Sequence, residues 1–194
     1  FIFAQLGYNQ ASGAYDEIAK SVTVSDDDGS GVPTIDFDAL WEICPDVVGW
    51  IYIPNTNVNY PVVQDEDNTK YLRHLIDGTW NISGSVFMDC DQTAPGMIDQ
   101  QTTLYGHHMN NNTMFAQIDQ TTDQAAFDAI EAVYYITPDT VYRLRPLATT
   151  VVDDTYVEAR QANFGDQAAL ASYLNGLISR ADAKASDAEA RAAS

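Results

Sequence analysis

The stretch PDVVGWIYIPNTNVNYPVVQ, residues 45–64, decides the fold of this chain, because here the spacing of apolar residues changes from that of helices to that of strands. Its first part, VVGWIYIP (47–54), is rich in β-branched and aromatic residues, which favour strands. NTN (55–57) then supplies turn residues, and VNYPVV (58–63) is typical of a second strand. The stretch predicts two consecutive strands joined by a short turn.

Short helices are predicted on both sides of these strands. Before them, Asp36 is a favourable N-cap. The apolar face that follows this cap consists of Phe37, Leu40, Trp41 and Cys44. After the strands, Asp67 is positioned to cap a second short helix that runs through Leu72.

The remainder of the chain predicts further strands and two further helices. The strands are SVFMD (85–89), TTLYG (102–106), AVYYIT (132–137) and VYRLRPLATTVV (141–152). One helix is predicted over 123–130, and another after the N-cap Asp166, with a face of Leu170, Tyr173, Leu174, Leu177 and Ile178. Residues 179–194 show no apolar face and predict an exposed helix or a polar loop. Together these elements predict a mainly β fold, a mixed β-barrel or β-sandwich with helices on its outside.

Residues 1–35 are expected to precede this domain as a helical lead-in and a linker. SDDDGSGVP (25–33) has the turn chemistry and charge of a linker. The first eight residues, FIFAQLGY, are either the outer end of a membrane anchor or an ordinary apolar patch. No segment of the sequence is long enough to cross a bilayer as a helix.

The charge of the chain argues against several classes of partner. Nine Lys and Arg stand against 28 Asp and Glu, which gives a formal net charge of −19. Phosphate binding needs clustered Lys and Arg, so nucleic acid is excluded as a partner. Anionic membrane surfaces are disfavoured for the same reason.

Few residues suggest chemistry when each is considered alone. His107 and His108 are adjacent and would point to opposite faces of a strand, so they do not form a shared metal site. Cys44 is at the C-terminal end of a predicted helix and Cys90 lies between two Asp residues, and neither setting favours a thiolate. Whether these two cysteines form a disulfide or remain free thiols is left open by the sequence.

Longer phrases of the sequence resemble class B sortases, a family of cell-surface cysteine transpeptidases. PDVVGWIYIPNTNVNYPVVQ (45–64) resembles the family's entry strands, and DNTKYLRH (67–74) resembles the helix that follows them. SGSVFMD (83–89) resembles the next strand, and TLYGHHMNNNTMF (103–115) resembles the histidine segment. The blocks follow the family's order and spacing, and the resemblance covers residues 36–178.

The resemblance implies roles for particular residues. His107 corresponds to the catalytic histidine because it directly follows Tyr-Gly, whereas His108 falls at a variable position. Asn68, Leu72 and Tyr156 correspond to positions that border the family's substrate groove, although Leu72 is equally compatible with a place in the core.

The resemblance also implies what these 194 residues lack. In the family a strand after the last helix carries a Thr-Cys, and the next strand carries an Arg. We therefore expect residues 36–194 to be a partial, inactive catalytic domain, with the nucleophilic Cys and the oxyanion-binding Arg beyond Ser194. The arginines that precede this expected strand are not assigned the role: Arg160, Arg180 and Arg191.

The implied function is cleavage of an Asn-Pro-x-Thr-like C-terminal sorting signal of secreted proteins through a Cys thioester. The acyl group would then pass to an amine of a peptidoglycan precursor or cross-bridge, without a metal or organic cofactor. The implied location is the extracellular face of the plasma membrane. Two alternatives are a degenerate, non-catalytic module that binds a peptide or partner, and a metal-dependent hydrolase that uses His107.

Overall fold

The computed structural model of the chain describes residues 2–24 and 31–193. The strands are β1 Thr23–Val24, β2 Thr34–Ile35, β3 Val47–Tyr52, β4 Asn59–Val63, β5 Val86–Met88, β6 Leu104–Tyr105, β7 Val133–Ile136, β8 Val141–Leu144, β9 Ala148–Thr149 and β10 Ala183–Lys184. The α-helices are α1 Ile2–Val22, α2 Phe37–Ile43, α3 Ala116–Asp119, α4 Gln124–Asp128, α5 Gln167–Ser179 and α6 Ala188–Ala192. Short 3₁₀ helices lie at Lys70–Leu72, Gln120–Thr122 and Val157–Arg160.

Six of the strands form the central sheet, in the order β6-β5-β4-β3-β7-β8. The sheet is mixed, because β4 is parallel to β5 while the other neighbouring pairs are antiparallel. β1 pairs with β2, and β9 pairs with β10, in two separate two-stranded sheets. The large buried side chains come mainly from the central sheet and from α1 and α2. The predicted β core with peripheral helices is confirmed.

The stretch 45–64 forms two consecutive strands joined by a turn, as predicted, and the structure places them in the middle of this sheet. β3 and β4 pair antiparallel, and Asn55 turns the chain between them with a φ of 62°. The side chains of Trp50 and Val62 are fully buried, which typically stabilises a fold by about 1.5–3 kcal/mol for each large apolar side chain. The indole Nε1 of Trp50 donates a hydrogen bond to Asn59 Oδ1 at 2.7 Å, so its polar atom is also satisfied.

The predicted helix caps are largely observed. The carboxylate of Asp36 accepts a hydrogen bond from the backbone N–H of Ala39 at 3.0 Å, and that of Asp166 accepts one from Ala169 at 2.8 Å. The helix predicted over 123–130 is α4, which is shorter than expected. Asp67 accepts hydrogen bonds from backbone N–H groups, but only the single 3₁₀ turn Lys70–Leu72 follows it.

The N-terminal helix α1 packs against the sheet through Tyr15. The Tyr15 hydroxyl is 3.0 Å from the carbonyl oxygen of Gly84 and 2.7 Å from the hydroxyl of Ser85. The predicted linker falls partly outside the described residues, which resume at residue 31. Among the helices that are described, α1 included, none combines the length and the apolar character needed to cross a membrane.

The C-terminal part of the chain differs from the prediction. The tail 179–194 has an apolar face after all: Ala188 and Ala192 of α6 are buried in a small cluster with Ile178. Alanine carries little apolar surface, so its spacing is a weak signal, yet its small side chain lets α6 pack closely. The predicted strand 141–152 is divided into β8 and β9, which belong to different sheets.

Gly84 provides a test of the contact between the sheet and the 3₁₀ helix Lys70–Leu72. Its φ is +56°, and a Cβ here would collide with the carbonyl oxygens of Tyr71 and Leu72. We expect Gly84→Ala to lower the free energy of unfolding by about 2–3 kcal/mol, measured by urea denaturation of the complete protein. The control is Gly176→Ala in α5, where a Cβ meets no atom within 4 Å; this change should stabilise by about 0.5–1 kcal/mol. Unchanged stability of Gly84→Ala would contradict the assigned contact.

Candidate active site

His107 lies two residues beyond the end of β6, at the edge of the central sheet. Gly106 before it packs against Phe115, and a Cβ on Gly106 would come within 2.6 Å of that ring. The His107 side chain is partly exposed, and its Nε2 lies 2.9 Å from the carbonyl oxygen of Leu72. Because a carbonyl oxygen only accepts hydrogen bonds, Nε2 carries the hydrogen, and Nδ1 remains for another partner.

The loop after His107 is fixed by backbone contacts and by two buried methionines. The N–H of Phe115 donates to the carbonyl oxygen of His107 at 2.9 Å, which closes the loop on itself. Met109 and Met114 are buried, and the backbone N–H of Met114 donates to the Tyr60 hydroxyl at 3.0 Å. His107 therefore sits at the base of a closed loop that is attached to β4.

The side chain of His108 has different surroundings. Its Nε2 lies 3.7 Å from Asp119 Oδ2 on α3, and both side chains are mostly exposed. His107 and His108 thus contact separate segments of the chain, although both lie beyond β6 and not on a strand as the sequence had suggested.

Leu72 is the last residue of the 3₁₀ helix Lys70–Leu72, and its backbone carbonyl oxygen is the atom that contacts His107 Nε2. Its side chain is 38% exposed, so the alternative that Leu72 is a core residue is wrong. The helix is tied to the end of α2 by Asp46, which accepts hydrogen bonds from Lys70 Nζ at 2.7 Å and from the Tyr71 hydroxyl at 2.6 Å. The hydrogen bonds from Lys70 and Tyr71 lower the pKa of Asp46.

The buried carboxylate of Asp89 connects three segments of the candidate site. Asp89, directly after β5, is fully buried. Its Oδ2 accepts hydrogen bonds from Tyr105 at 2.6 Å, Arg160 Nε at 2.8 Å and Asn68 Nδ2 at 3.1 Å. We call these four residues the Asp89 cluster. It joins the loop of Asn68, the strand that leads to His107 and the 3₁₀ helix Val157–Arg160.

The charge of Asp89 is stabilised by these donors. Burial alone would raise the pKa of Asp89, but the hydrogen bonds from Arg160 and Tyr105 outweigh it and lower the pKa below its usual value. Asp89 was not predicted from the sequence, because an Asp at the end of a strand is typical of an exposed loop. The sequence contains one indication of its role: Asn68 and Asp89 both lie in segments that resemble the family, DNTKYLRH (67–74) and SGSVFMD (83–89).

Tyr156 lies at the other end of the 3₁₀ helix that ends in Arg160. The guanidinium of Arg180 stacks over its ring, 4.5 Å from the centroid. Tyr173 of α5 is next to Tyr156, and its burial together with this neighbour raises the pKa of Tyr173 to about 12. The structure therefore places Tyr156 against α5 and connects it with Asn68 through the Asp89 cluster, whereas His107 and Leu72 are in direct contact.

The three arginines that were not assigned a catalytic role all have protein partners. Arg160 binds Asp89 and also Asp91, at 3.0 Å. Arg180 stacks on Tyr156, and Arg191 donates hydrogen bonds to backbone carbonyl oxygens at the end of β8 and just after it. Each guanidinium thus holds a loop or the C-terminal helix in place.

Neither cysteine is suited to act as a nucleophile in this structure. Cys44 is buried, with its Sγ 3.4 Å from the Tyr71 hydroxyl. Partial burial and the charges of Asp91 and Asp89 raise the pKa of Cys90, so its thiol is protonated at neutral pH. Both are free cysteines, which settles the question of a disulfide between them.

One group of side chains among the described residues has the spacing of a metal site. Asp89, Cys90 and Asp91 place ligand atoms within 4.8 Å of one another. Arg160 already binds both of these carboxylates, so its positive charge occupies the position where a cation would be held. The group is therefore better described as an ion pair than as a metal site.

Comparison with known proteins gives consistent matches. The family model described as "Sortase domain" matches residues 51–170. Sortase B from Staphylococcus aureus is 30% identical over 132 residues, which are 67% of this chain and 54% of that protein. Sortase B from Listeria monocytogenes is 32% identical over 121 residues, 61% of this chain and 49% of that protein. The chain spans about half the length of these curated relatives.

Solved structures show the same similarity. The crystal structure of sortase B from B. anthracis matches with a TM-score of 0.78 and 27% identity, over 93% of this chain and 84% of that chain. A mutant form of Clostridium perfringens sortase B matches with a TM-score of 0.77 and 27% identity, over 89% and 82% of the two chains.

The Asp89 cluster yields a prediction on stability. Asp89→Ala leaves Arg160 without its buried partner, so we expect it to lower the free energy of unfolding by about 2–3 kcal/mol. Asp91→Ala is the matched control, because Asp91 is 72% exposed and binds the same guanidinium; the change should cost less than about 1 kcal/mol. Equal losses in the two variants, measured by urea denaturation, would show that burial of Asp89 is unimportant.

The pH dependence of Asp89→Asn tests the charge itself. The folded-state pKa of Asp89 is lowered, so its contribution is present above the unfolded pKa and is lost as the pH falls through the folded pKa. The stability difference between wild type and Asp89→Asn should thus be full at neutral pH and shrink below about pH 4.

Proposed function

Because the chain belongs to the sortase family, and to class B within it, we propose that the complete protein is a transpeptidase that cleaves a sorting signal and transfers the acyl group to a cell-wall amine. The similarity of residues 51–170 to the sortase domain supports this proposal. The single observation that carries the assignment of the site is the position of His107, two residues beyond the end of β6 and in hydrogen-bond contact with the carbonyl oxygen of Leu72.

His107 acts as the general acid and base in this proposal. A Cys thiolate attacks the Thr carbonyl of an Asn-Pro-x-Thr-like signal, and the C–N bond breaks to leave a thioester. His107 donates its proton to the departing amine, and it then removes a proton from the incoming amine as that amine displaces the thiol. Since Leu72 holds Nε2 as a hydrogen-bond donor, Nδ1 is the nitrogen that exchanges the proton.

The nucleophile lies outside residues 1–194 in this proposal. Cys44 is buried beside Tyr71, and the pKa of Cys90 is raised by partial burial and two aspartates. The oxyanion-binding arginine also lies outside in this proposal, because Arg160 and Arg180 are bound to Asp89 and Tyr156, and Arg191 is bound to backbone carbonyl oxygens. The reaction needs no metal or organic cofactor, since the acyl group is carried on sulfur.

Asn68, Leu72 and Tyr156 border the peptide groove in this proposal. The exposed side chain of Leu72 is next to His107 and is available to an apolar part of the signal. Asn68 and Tyr156 lie in segments that the Asp89 cluster holds together. The partners are secreted proteins with a C-terminal sorting signal and an amine of peptidoglycan or its precursor, at the outer face of the plasma membrane.

The histidine assignment is tested by two neighbouring substitutions. In the complete protein, His107→Ala should reduce cleavage of a fluorogenic Asn-Pro-x-Thr peptide by about 10²–10⁴-fold, the usual contribution of a general acid and base. His108→Ala should retain activity within about threefold, because its ring is mostly exposed and lies beside the exposed Asp119. Comparable losses in both variants, or equal rates for His107→Ala and wild type, would remove His107 from the mechanism.

A lack of cleavage by the wild type, together with binding of the same peptide, would instead favour a non-catalytic binding module.

The cysteines supply a second test. Cys44→Ala and Cys90→Ala, each in the complete protein, should leave peptide cleavage within about threefold of wild type, apart from any loss of folded protein with Cys44→Ala. Mass spectrometry of the acyl-enzyme should place the thioester on neither residue. A thioester on Cys90 would overturn the proposal that the nucleophile lies elsewhere.

A further inference from the structure

A pocket of about 550 Å³ is lined in part by the loop that follows His107, through Asn111 and Thr113. This volume is within the range of small-molecule sites, about 300–1,000 Å³. The pocket is formed by α1, by the turn between β3 and β4, and by that loop. Its polar lining includes Asn9, Ser12, Asp16, Asn59, Asn111 and Thr113.

Much of the hydrogen-bonding capacity in this lining is unused. The side chains of Asn9, Ser12 and Asp16 make no hydrogen bond or ion pair within residues 9–24 and 31–193. Asn111 accepts a hydrogen bond from Thr113 at 2.7 Å through its oxygen, which leaves its NH₂ group for another partner. Donors and acceptors are therefore both available in one pocket.

Tyr60 adds a buried donor to the same pocket. Its side chain is 6% exposed, and its hydroxyl oxygen accepts a hydrogen bond from the N–H of Met114. The hydroxyl hydrogen of Tyr60 has no acceptor in the described part of the chain. Burial raises the pKa of Tyr60, so this hydrogen is retained at neutral pH. A buried donor without an acceptor is costly, and a ligand oxygen in the pocket would satisfy it.

The chemistry of the lining selects the class of ligand. No Lys or Arg lines the pocket, and Asp16 would repel a negative charge, so an anionic ligand is disfavoured. An extended peptide is commonly bound by adding a strand to a free edge, but the neighbouring strand β4 is already paired on both sides. Amide, hydroxyl and carboxylate groups together suit a ligand that carries many neutral hydroxyl and amide groups.

We propose that this pocket binds an uncharged oligosaccharide. The Asp16 carboxylate accepts hydrogen bonds from its hydroxyl groups, the Asn111 NH₂ group donates to its oxygens, and the Tyr60 hydroxyl donates to another oxygen. The natural source, a glycan strand of the cell wall, rests on the proposed function. A bound strand would contact Asn111 and Thr113, in the loop that begins at His107, and would hold the wall polymer beside the transfer site.

The test is an NMR titration of the ¹⁵N-labelled complete protein with a soluble tetramer of N-acetylglucosamine. We expect shifts at Ser12, Asp16 and Asn111, with Asp16→Ala weakening binding about tenfold and Ser12→Ala about threefold, the usual loss for one hydrogen bond. Glu17→Ala is the matched control, because Glu17 is an exposed carboxylate next to Asp16 that does not line the pocket; it should leave binding unchanged. All three positions lie on α1, where alanine preserves the helix.

The outcomes separate this inference from the proposed function. Three results would overturn the glycan site: no binding of the tetramer, equal affinity of wild type and Asp16→Ala for it, or binding of triglycine in place of the tetramer. Peptide cleavage is measured without any sugar, so cleavage with no sugar binding overturns only this inference. Sugar binding at Asp16 without cleavage would overturn only the transpeptidase.

Discussion

A fully buried carboxylate is stable only when it is supplied with donors, and Asp89 obtains its donors from segments that are distant in sequence. Asn68, Tyr105 and Arg160 each contribute one hydrogen bond to the same oxygen. The cost of removing the Asp89 charge from water is thus offset only when all three segments are in place. This requirement ties together the three segments that carry Asn68, Tyr105 and Arg160.

The elements of the fold that could be predicted are those with a local cause. Asp36 and Asp166 cap helices because the donors they satisfy lie three residues away. The parallel pairing of β4 with β5 could not be predicted from local pattern, because residues 64–85 separate the two strands. The C-terminal tail could not be predicted for a different reason. Ala188 and Ala192 are buried, but alanine is also common on exposed helices, so the spacing of alanines does not indicate which face is buried.

The candidate site was predictable where a side chain carries the chemistry and not where the backbone does. His107 was predicted from the resemblance of TLYGHHMNNNTMF (103–115) to the family. Without that resemblance, His107 is only a histidine near the end of a predicted strand. Its partner is the carbonyl oxygen of Leu72, and a backbone group leaves no mark on the sequence. The role of Asp89 was hidden for a related reason, since nothing local distinguishes a buried Asp from an exposed one after a strand.

The acidity of the chain bears on the proposed reaction. Nine cationic residues stand against 28 acidic ones, and Lys70 and Arg160 are among those already held by carboxylates near the site. A surface of this sign attracts a positively charged amine, which favours the encounter with an amine acceptor. The attracted form is the ammonium ion, however, and only the neutral amine can attack a thioester. In the proposed reaction the attracted ammonium ion must therefore lose a proton before it attacks, and with Nε2 donating to Leu72 the other ring nitrogen of His107, Nδ1, is the one that would accept it.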